Sequence, residues 1–356
     1  MRQKRKLDHL NLSRFVKDGP GSSGFEDVSF IHNCLPEINY SEINTSTSFL
    51  DRKFAIPLMI NAVTGGIKEA ENINRIFARV SRNLEIPVAV GSQTAALEEA
   101  ALRYTYSVVR EENPEGFVVA NISAGAAVEH ALEAVQMIGA DALQLHLNAP
   151  QEIFMPGKER ESSFKGFLDN IKAVVEASPV PVIVKEVGFG MAREQAKLLL
   201  ETGTAALDVG GRGGTNFIRI EGLRGKSKMY QPFLKWGLSS AIALGEITGE
   251  YFPGVQLVAT GGIRHGLDVA KALALGASMV GIAGPLVRCY FKGGETEVEN
   301  YLVSIKQQLQ RAMFMLGALE PARLSSLPLV IRGETGRWLE LRGVDLHGLA
   351  VRSADK

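Results

Sequence analysis

The sequence predicts an α/β fold, a (β/α)₈ TIM barrel, with an N-terminal extension and a C-terminal tail. From about Ala55 onward, apolar runs of strand length alternate with helical patterns, as in βαβ units. The runs are apolar on both faces, which is typical of a parallel sheet covered by helices. Polar residues directly follow six of them. In a barrel these positions meet on one face, whereas a doubly wound sheet, the alternative, binds at one switch point.

Eight runs are predicted as strands, and most are followed by a helical pattern. The predicted strands are residues 56–61, 86–90, 117–121, 142–147, 180–185, 205–209, 256–261 and 278–283. The predicted helices are residues 69–84, 95–112, 127–138, 164–177, 191–201 and 265–275. A glycine-rich loop follows the sixth strand. The last helix is predicted from helical spacing of Val298, Leu302, Ile305, Leu309, Ala312 and Leu316.

The chain divides into three predicted segments. Residues 1–54 are polar and lack sustained periodicity, so we predict an extension with short local structure. Residues 55–317 form the barrel, and residues 318–356 form a tail packed on it.

Composition narrows the classes of partner. Lys plus Arg and Asp plus Glu both number 39, so the formal net charge is zero, and nothing directs the chain to nucleic acid or an anionic membrane. Two cysteines, Cys34 and Cys289, are too few for a disulfide framework and suggest a reducing compartment. No apolar run reaches the length of a membrane span. We therefore expect a cytoplasmic protein.

Glycines after the last two strands predict a phosphate site. Gly261 and Gly262 follow the seventh strand, and Gly284 follows the eighth. Without a Cβ atom, such loops let backbone N–H groups approach a phosphate, and a helix N-terminus favours the anion. Barrels often bind phosphate at these two loops. The alternative is that the glycines only form tight turns.

Other polar residues at strand ends leave more than one interpretation open. Thr215 lies in a glycine-rich loop that either binds an anion or merely links elements. Lys185 could neutralise an electron-rich cofactor, form a Schiff base, or pair with Glu186. His146 is either a histidine bonded within the core or a ligand contact.

The loop after the fourth strand adds a carboxylate and an amide. Glu152 could hold Mg²⁺ beside a diphosphate or be a solvated carboxylate. Gln151 has no useful pKa and would orient an atom or a water. Near the N-terminus, Arg5, Lys6 and His9 form a basic cluster. It is either part of a solvated tail, a patch that binds nucleic acid, or a clamp that binds a diphosphate.

Taken together, these motifs resemble the flavin-dependent type 2 isopentenyl-diphosphate isomerases, over nearly the whole chain. The matching residues are Arg5, Lys6 and His9, then 29–32, 61–66, 91–93, 144–148 with Gln151 and Glu152, 184–190, 210–217 and, more weakly, 332–335. Two positions depart from the family pattern. Val63 stands where methionine is common, and Thr94 where many members carry a basic residue, which puts diphosphate contact from that loop in doubt.

The resemblance implies a set of roles. FMN would be held by Ala62, Val63, Thr64, Ser92, Asn121, Lys185 and Thr215, with its phosphate on Gly261, Gly262, Ala283 and Gly284. The substrate would be contacted by Arg5, Lys6, His9, Arg103, Asn148 and Gln151, with Gln151 and His146 at the reacting carbons and Glu152 on Mg²⁺. NADPH would reduce the flavin. The family further suggests a homotetramer or homo-octamer.

The implied reaction moves the double bond of isopentenyl diphosphate to give dimethylallyl diphosphate. An alkene is a very weak base, so a reduced flavin beside it could supply the proton and stabilise the cationic transition state. An FMN α-hydroxyacid oxidase is an alternative function. That class carries a catalytic histidine shortly before an arginine after the late strands, but the Gly210–Gly214 stretch has the arginine without the histidine, and His265 is not at the required position. An inosine-monophosphate-dehydrogenase-like enzyme would need a loop cysteine that neither cysteine supplies. A non-catalytic flavin- or phosphate-binding barrel is the third alternative.

Overall fold

A computed structural model describes residues 2–15, 18–157, 162–250 and 254–353. The ends of the predicted extension and tail, at Met1 and Lys356, lie outside these ranges. In chain order the strands are β1 (Val28–Phe30), β2 (Thr47–Phe49), β3 (Arg52–Phe54), β4 (Leu58–Ile60), β5 (Val88–Ala89), β6 (Val118–Ser123), β7 (Ala142–Leu147), β8 (Val182–Glu186), β9 (Ala206–Asp208), β10 (Gln256–Thr260), β11 (Met279–Ile282) and β12 (Leu329–Ile331).

The α-helices lie mostly between the strands. In chain order they are α1 (Arg2–Phe15), α2 (Lys68–Leu84), α3 (Thr94–Glu98), α4 (Tyr104–Glu112), α5 (Val128–Ile138), α6 (Ala149–Phe154), α7 (Phe167–Ala177), α8 (Arg193–Leu200), α9 (Phe217–Arg224), α10 (Ser240–Thr248), α11 (Gly266–Ala274), α12 (Gly284–Leu316), α13 (Pro321–Leu324), α14 (Gly333–Leu341) and α15 (Leu346–Val351). In the described part of the chain, none is long and apolar enough to cross a membrane.

Strands β4 to β11 form a closed parallel barrel in which each pairs with its neighbours in the sequence and β11 closes on β4. Each of the eight predicted strands overlaps one of these, and β6 and β8 end one or two residues later than predicted. The prediction of a (β/α)₈ barrel is therefore confirmed and the open sheet is excluded.

The helix predictions were less complete. The segment predicted as one helix at 95–112 contains two, α3 and α4. The spacing that begins at Val298 is confirmed, but α12 starts fourteen residues earlier, at Gly284, with a break at Gly293 and Gly294. Helix α10 was missed because every residue from Ser240 to Ile247 is buried, which leaves no amphipathic period to detect. Helix α1, too, was predicted only as short local structure.

The barrel interior is apolar at its N-terminal end and polar at its C-terminal end. Side chains alternate along a strand with a period of two. Met59, Val119, Ile183 and Val258 belong to the apolar layer, which Phe49 and Phe54 of the β2–β3 hairpin help to fill. The residues two positions after these four are polar: Asn61, Asn121, Lys185 and Thr260. The matching positions of β7 and β9 are also polar, Gln144 and Asp208. This second layer is the floor of the site.

The extension and the tail share a small sheet outside the barrel. Strand β1 pairs antiparallel with β12, with Val28 opposite Ile331. The Asp27 carboxylate accepts a hydrogen bond from the Thr335 backbone N–H at the start of α14. The three-segment division of the chain stays a prediction, but its first and last segments are joined here.

Candidate active site

The C-terminal ends of the barrel strands open into one cavity, and α1 supplies part of its wall. Its lining includes every site residue that the sequence predicted except one: Arg5, Lys6, His9, Ala62, Val63, Thr64, Ser92, Asn121, His146, Asn148, Gln151, Glu152, Lys185, Thr215, Gly261, Gly262, Ala283 and Gly284. The exception is Arg103. Its side chain is 46% exposed and pairs with Glu133 of α5, so the structure places it outside the cavity.

One end of the cavity is a cradle of backbone that only glycine can form. Gly261 has φ +112° and Gly262 has φ +76°, a region that side-chain-bearing residues rarely adopt. A Cβ atom on Gly261 would lie 2.0 Å from the Gly211 carbonyl oxygen, and one on Gly262 would lie 2.6 Å from the Ser23 Cβ. Close packing on both sides therefore requires glycine at these two positions.

The same end lies at a helix N-terminus. Gly284 begins α12, and its N-cap residue Ala283 makes no side-chain capping bond. The Thr215 hydroxyl lies 3.1 Å from the position that a Gly284 Cβ atom would occupy. The helix dipole and a hydroxyl donor together favour a phosphate, so these residues fit the phosphate of FMN.

Two arginines near this end are bridged by one carboxylate, which the sequence did not point to. Arg264 forms an ion pair with Asp18, and Arg288 Nη2 lies 3.4 Å from Asp18 Oδ2. Asp18 and Arg264 both line the cavity. The start of the segment after α1 is thereby held beside the phosphate cradle.

Lys185 is buried and pairs with Asp208, which the sequence analysis missed. Lys185 Nζ donates to Asp208 Oδ2 at 2.8 Å. The proposed pairing with Glu186 is wrong: that carboxyl accepts from the N–H groups of Phe189 and Gly190, and burial raises the pKa of Glu186 to about 8. An ammonium has three N–H donors, so Lys185 can still meet a ligand in the cavity it lines.

His146 belongs both to the polar floor and to the cavity wall, so the two interpretations of it do not exclude each other. Its Nδ1 lies 2.9 Å from Asn121 Oδ1. Burial first, and then the charges of Lys185, Lys6 and Arg5, lower the pKa of His146 to about 4. The imidazole is therefore uncharged at neutral pH.

Helix α6 presents Gln151 and Glu152 to the cavity. Asn148, its N-cap residue, donates to Glu152 Oε1 at 2.9 Å. Gln151 Nε2 donates to Glu221 Oε1 at 3.0 Å, and His9 Nε2 lies 2.7 Å from the same oxygen. Glu221 thus links the N-terminal helix to Gln151.

Glu221 is fully buried on α9, in a stretch that the sequence analysis treated as loop, and no motif marks it. Burial raises the pKa of its carboxyl, but the hydrogen bonds from His9 and Gln151 and the charge of Arg224 outweigh burial, so the pKa of Glu221 is lowered. A charged acceptor consequently fixes the Gln151 amide with its N–H group toward Glu221.

Lys6 anchors α1 to the loops after β4 and β5. Its Nζ lies 2.8 Å from the Gly65 carbonyl oxygen, 2.7 Å from that of Ser92 and 2.7 Å from the Tyr106 hydroxyl. Three acceptors match the three donors of an ammonium. In the same region the Thr94 hydroxyl lies 3.0 Å from that of Ser92.

Comparison with known proteins gives one consistent family. A family model described as FMN-dependent dehydrogenase matches residues 155–330. The chain is 45% identical to the isopentenyl-diphosphate delta-isomerase of Symbiobacterium thermophilum, over 99% of each chain. It is 46% identical to that of Moorella thermoacetica, over 96% of this chain and 97% of the relative. The chain belongs to the isopentenyl-diphosphate delta-isomerase family.

Solved structures similar to this isomerase-family chain share its fold at low identity. A lactate oxidase from Pediococcus acidilactici has a TM-score of 0.70 at 15% identity, over 93% of each chain. A flavocytochrome b2 variant with bound pyruvate has a TM-score of 0.68 at 18% identity, covering 95% of this chain and 85% of the other. At such identities the likeness concerns the barrel and not the reaction.

Proposed function

We propose that this chain interconverts isopentenyl diphosphate and dimethylallyl diphosphate with the help of reduced FMN. The observation that supports this most directly is the convergence of three features on one cavity. These are the glycine cradle, the Gln151–Glu152 pair and the basic face of α1. An oxidase barrel would need only the first of them.

The FMN phosphate would lie on Gly261, Gly262, Ala283 and Gly284, with the Thr215 hydroxyl as a further donor. Ala62, Val63, Thr64 and Ser92 would face the ring system from the loops after β4 and β5, and Asn121 would face it from the floor. Lys185 would place its ammonium beside the flavin. When bound, reduced FMN supplies a proton donor and negative charge beside the alkene.

The residues of the chain would hold the substrate against that group. Arg5 would face the diphosphate, with His9 and Asn148 nearby. The three N–H donors of Lys6 already meet Gly65, Ser92 and Tyr106, so Lys6 would contribute its charge and not a direct hydrogen bond. Arg103 is left out because it lies outside the cavity. Glu152 is a single carboxylate, and no cluster of three His, Cys, Asp or Glu side chains that could hold a metal occurs among the described residues. Mg²⁺ commonly combines one carboxylate with phosphate oxygens, so Glu152 would bind it only together with the diphosphate.

Gln151 would lie beside the isoprenoid carbons. Its amide N–H group donates to Glu221, and its carbonyl oxygen, which lies 3.4 Å from Asn148 Nδ2, can orient a water or the substrate. His146, uncharged at neutral pH, is a second acceptor at the wall. Arg5 and Lys6, on the helix that forms part of the cavity wall, would offset the diphosphate charge.

The α-hydroxyacid oxidase alternative lacks its catalytic histidine in this cavity. His265 caps α11, where its Nδ1 accepts from the Asp268 backbone N–H at 3.2 Å, and it is absent from the cavity lining. Among the described residues, the histidines that do line the cavity are His9 and His146.

The test is an anaerobic assay with FMN, NADPH, Mg²⁺ and isopentenyl diphosphate, with dimethylallyl diphosphate followed by NMR. We expect product that depends on the reductant and on Mg²⁺. No product in the presence of bound, fully reduced flavin would overturn the proposal, and oxidation of a hydroxyacid would favour the oxidase. NADPH as reductant and a homotetramer or homo-octamer stay predictions, the latter checked by light scattering.

A further inference from the structure

The polar floor of the barrel contains one continuous chain of side-chain hydrogen bonds from Lys185 to His146. Asp208 Oδ2 accepts from Lys185 and, at 2.6 Å, from Asn61 Nδ2. Gln144 Nε2 donates to Asn61 Oδ1 at 3.0 Å. The chain then continues from Asn121 Nδ2 to Gln144 Oε1 at 3.0 Å, and it ends where His146 Nδ1 meets Asn121 Oδ1 at 2.9 Å.

The donor and the acceptor of each hydrogen bond in this chain follow from the Lys185–Asp208 pair at its start. An ionised carboxylate accepts only, so the amide nitrogen of Asn61 must face Asp208. The Asn61 oxygen is fixed independently, because it accepts from the Ala62 backbone N–H at 2.8 Å. The Gln144 nitrogen must then face Asn61, since two amide oxygens at 3.0 Å would repel each other.

The same reasoning passes from Gln144 to the imidazole. The oxygen of Gln144 requires the nitrogen of Asn121 opposite it, which turns the Asn121 oxygen toward His146. That oxygen can only accept, so the ring nitrogen facing it carries a proton.

We propose that Gln144 is a positioning residue which, through Asn121, keeps a proton on Nδ1 of His146. Nε2 is then the ring nitrogen that accepts a hydrogen bond or a proton from a ligand in the cavity. Gln144 is fully buried and does not line the cavity, so it acts on the site only through its neighbours. The inference deepens the proposed function by giving His146 a defined polarity, but it holds for any occupant.

The test is ¹⁵N NMR of the full-length protein with labelled histidine and no ligand. The side-chain shifts and couplings distinguish the Nδ1–H from the Nε2–H form, and loss of one signal in His146→Gln assigns it. We expect His146 to be wholly Nδ1–H in the wild type. Detection of the Nε2–H form of His146 in the wild-type protein would by itself overturn the proposal.

The role of Gln144 is tested by Gln144→Leu. This substitution removes the two side-chain hydrogen bonds of Gln144, to Asn61 and from Asn121, and so leaves the Asn121 side chain able to rotate. We expect a mixture of the two tautomers. The matched control is Gln93→Leu, because Gln93 is equally buried. Its side-chain oxygen accepts from the backbone N–H of Asn121 at 2.9 Å and does not touch the Asn121 side chain. That variant should keep the wild-type tautomer.

An unchanged tautomer in folded Gln144→Leu, or equal mixing in the control, would contradict the role of Gln144. If the leucine variant does not fold, Gln144→Met serves in its place. Since all of these spectra are recorded without flavin or substrate, failure of isomerase activity would leave this result unaffected, and the reverse also holds.

Discussion

His146 is uncharged in the folded protein at a pH at which the unfolded chain would already protonate it. Its pKa is lowered to about 4, whereas an unfolded histidine titrates near 6.5. Between these values the unfolded state binds the extra proton, so acidification from about pH 6.5 to 4 removes stability. The loss amounts to roughly 3 kcal/mol at one pKa unit per 1.4 kcal/mol.

We therefore expect His146→Gln to flatten the pH dependence of the unfolding free energy in that window. Urea denaturation at several pH values measures it. The control is His130→Gln, because His130 is exposed on α5, and it should keep the wild-type slope. Identical slopes for His146→Gln and the wild type would contradict the lowered pKa.

Glu152 is the residue on which metal dependence should rest. Glu152→Gln keeps the shape and the bond from Asn148 but removes the negative charge that a hard cation needs. We expect isomerase turnover at saturating isopentenyl diphosphate to fall about 10- to 100-fold at limiting Mg²⁺, by analogy with losses of metal-site support. A titration with Mg²⁺ measures this. Glu129→Gln, exposed on α5, should leave the Mg²⁺ curve unchanged, and an unchanged curve for Glu152→Gln would rule out the metal role.

Helix α1 is held over the cavity by contacts that can be removed one at a time. Lys6→Met deletes the ammonium that bonds Gly65, Ser92 and Tyr106, with little change in helix propensity. We expect hydrogen exchange across residues 2–15 to accelerate about tenfold, which corresponds to one charge-assisted hydrogen bond. Lys4→Met lies on the exposed side of the same helix and should exchange like the wild type. Equal exchange in both variants would show that Lys6 does not anchor α1.

The phosphate cradle makes a similar test possible with alanine. Gly262→Ala would add a Cβ atom 2.6 Å from the Ser23 Cβ, at φ +76°. We expect FMN affinity to fall about tenfold or more, because the backbone N–H groups would move away from the phosphate. Flavin fluorescence quenching in the apoprotein measures it. Gly343→Ala has nearly the same φ, +78°, but meets no atom within 4 Å, so its FMN affinity should be unchanged.

The elements that could be predicted from the sequence are those with a regular spacing of apolar residues or a recognisable motif. Six of the eight barrel strands combined an apolar run with a polar end, and the predicted spacing in α12 is confirmed as a stripe of buried residues. Helix α10 has no polar face, and α9, which carries Glu221, follows a glycine-rich stretch that looks like loop. Asp208 and Gln144 could have been found, since each stands two residues after an apolar residue of the bottom layer, as Asn61 and Lys185 do. Their roles could not, because hydrogen bonds across a barrel depend on strand register.

At the scale of the whole molecule, a buried carboxylate ties the tail to the barrel. Glu246 of α10 accepts from Trp338 Nε1 at 2.7 Å and from Arg342 Nε at 2.8 Å. Burial raises the pKa of Glu246, but the hydrogen bonds from Arg342 and Trp338 outweigh it and lower the pKa. Its contribution is thus present at neutral pH and is lost on acidification through the lowered pKa.

We expect Glu246→Leu to lower the unfolding free energy by about 1 to 2 kcal/mol at pH 7, a figure that allows for the partly exposed partners. Urea denaturation checks this. Glu340→Leu removes a carboxylate whose pair with Arg337 is largely exposed, so it should cost less than about 0.5 kcal/mol. Equal losses for the two variants would mean that Glu246 does not hold the tail in place.

The pairing of β1 with β12 also fixes an order in which the protein can be completed during synthesis. In the described part of the chain, β12 is the strand partner of β1, and their paired residues stand about three hundred positions apart. A nascent chain can close its barrel once β11 has left the ribosome. Its first strand must still wait for residues 329–331 to emerge. A chain released before that point would therefore carry a formed barrel in which β1 still lacks its strand partner.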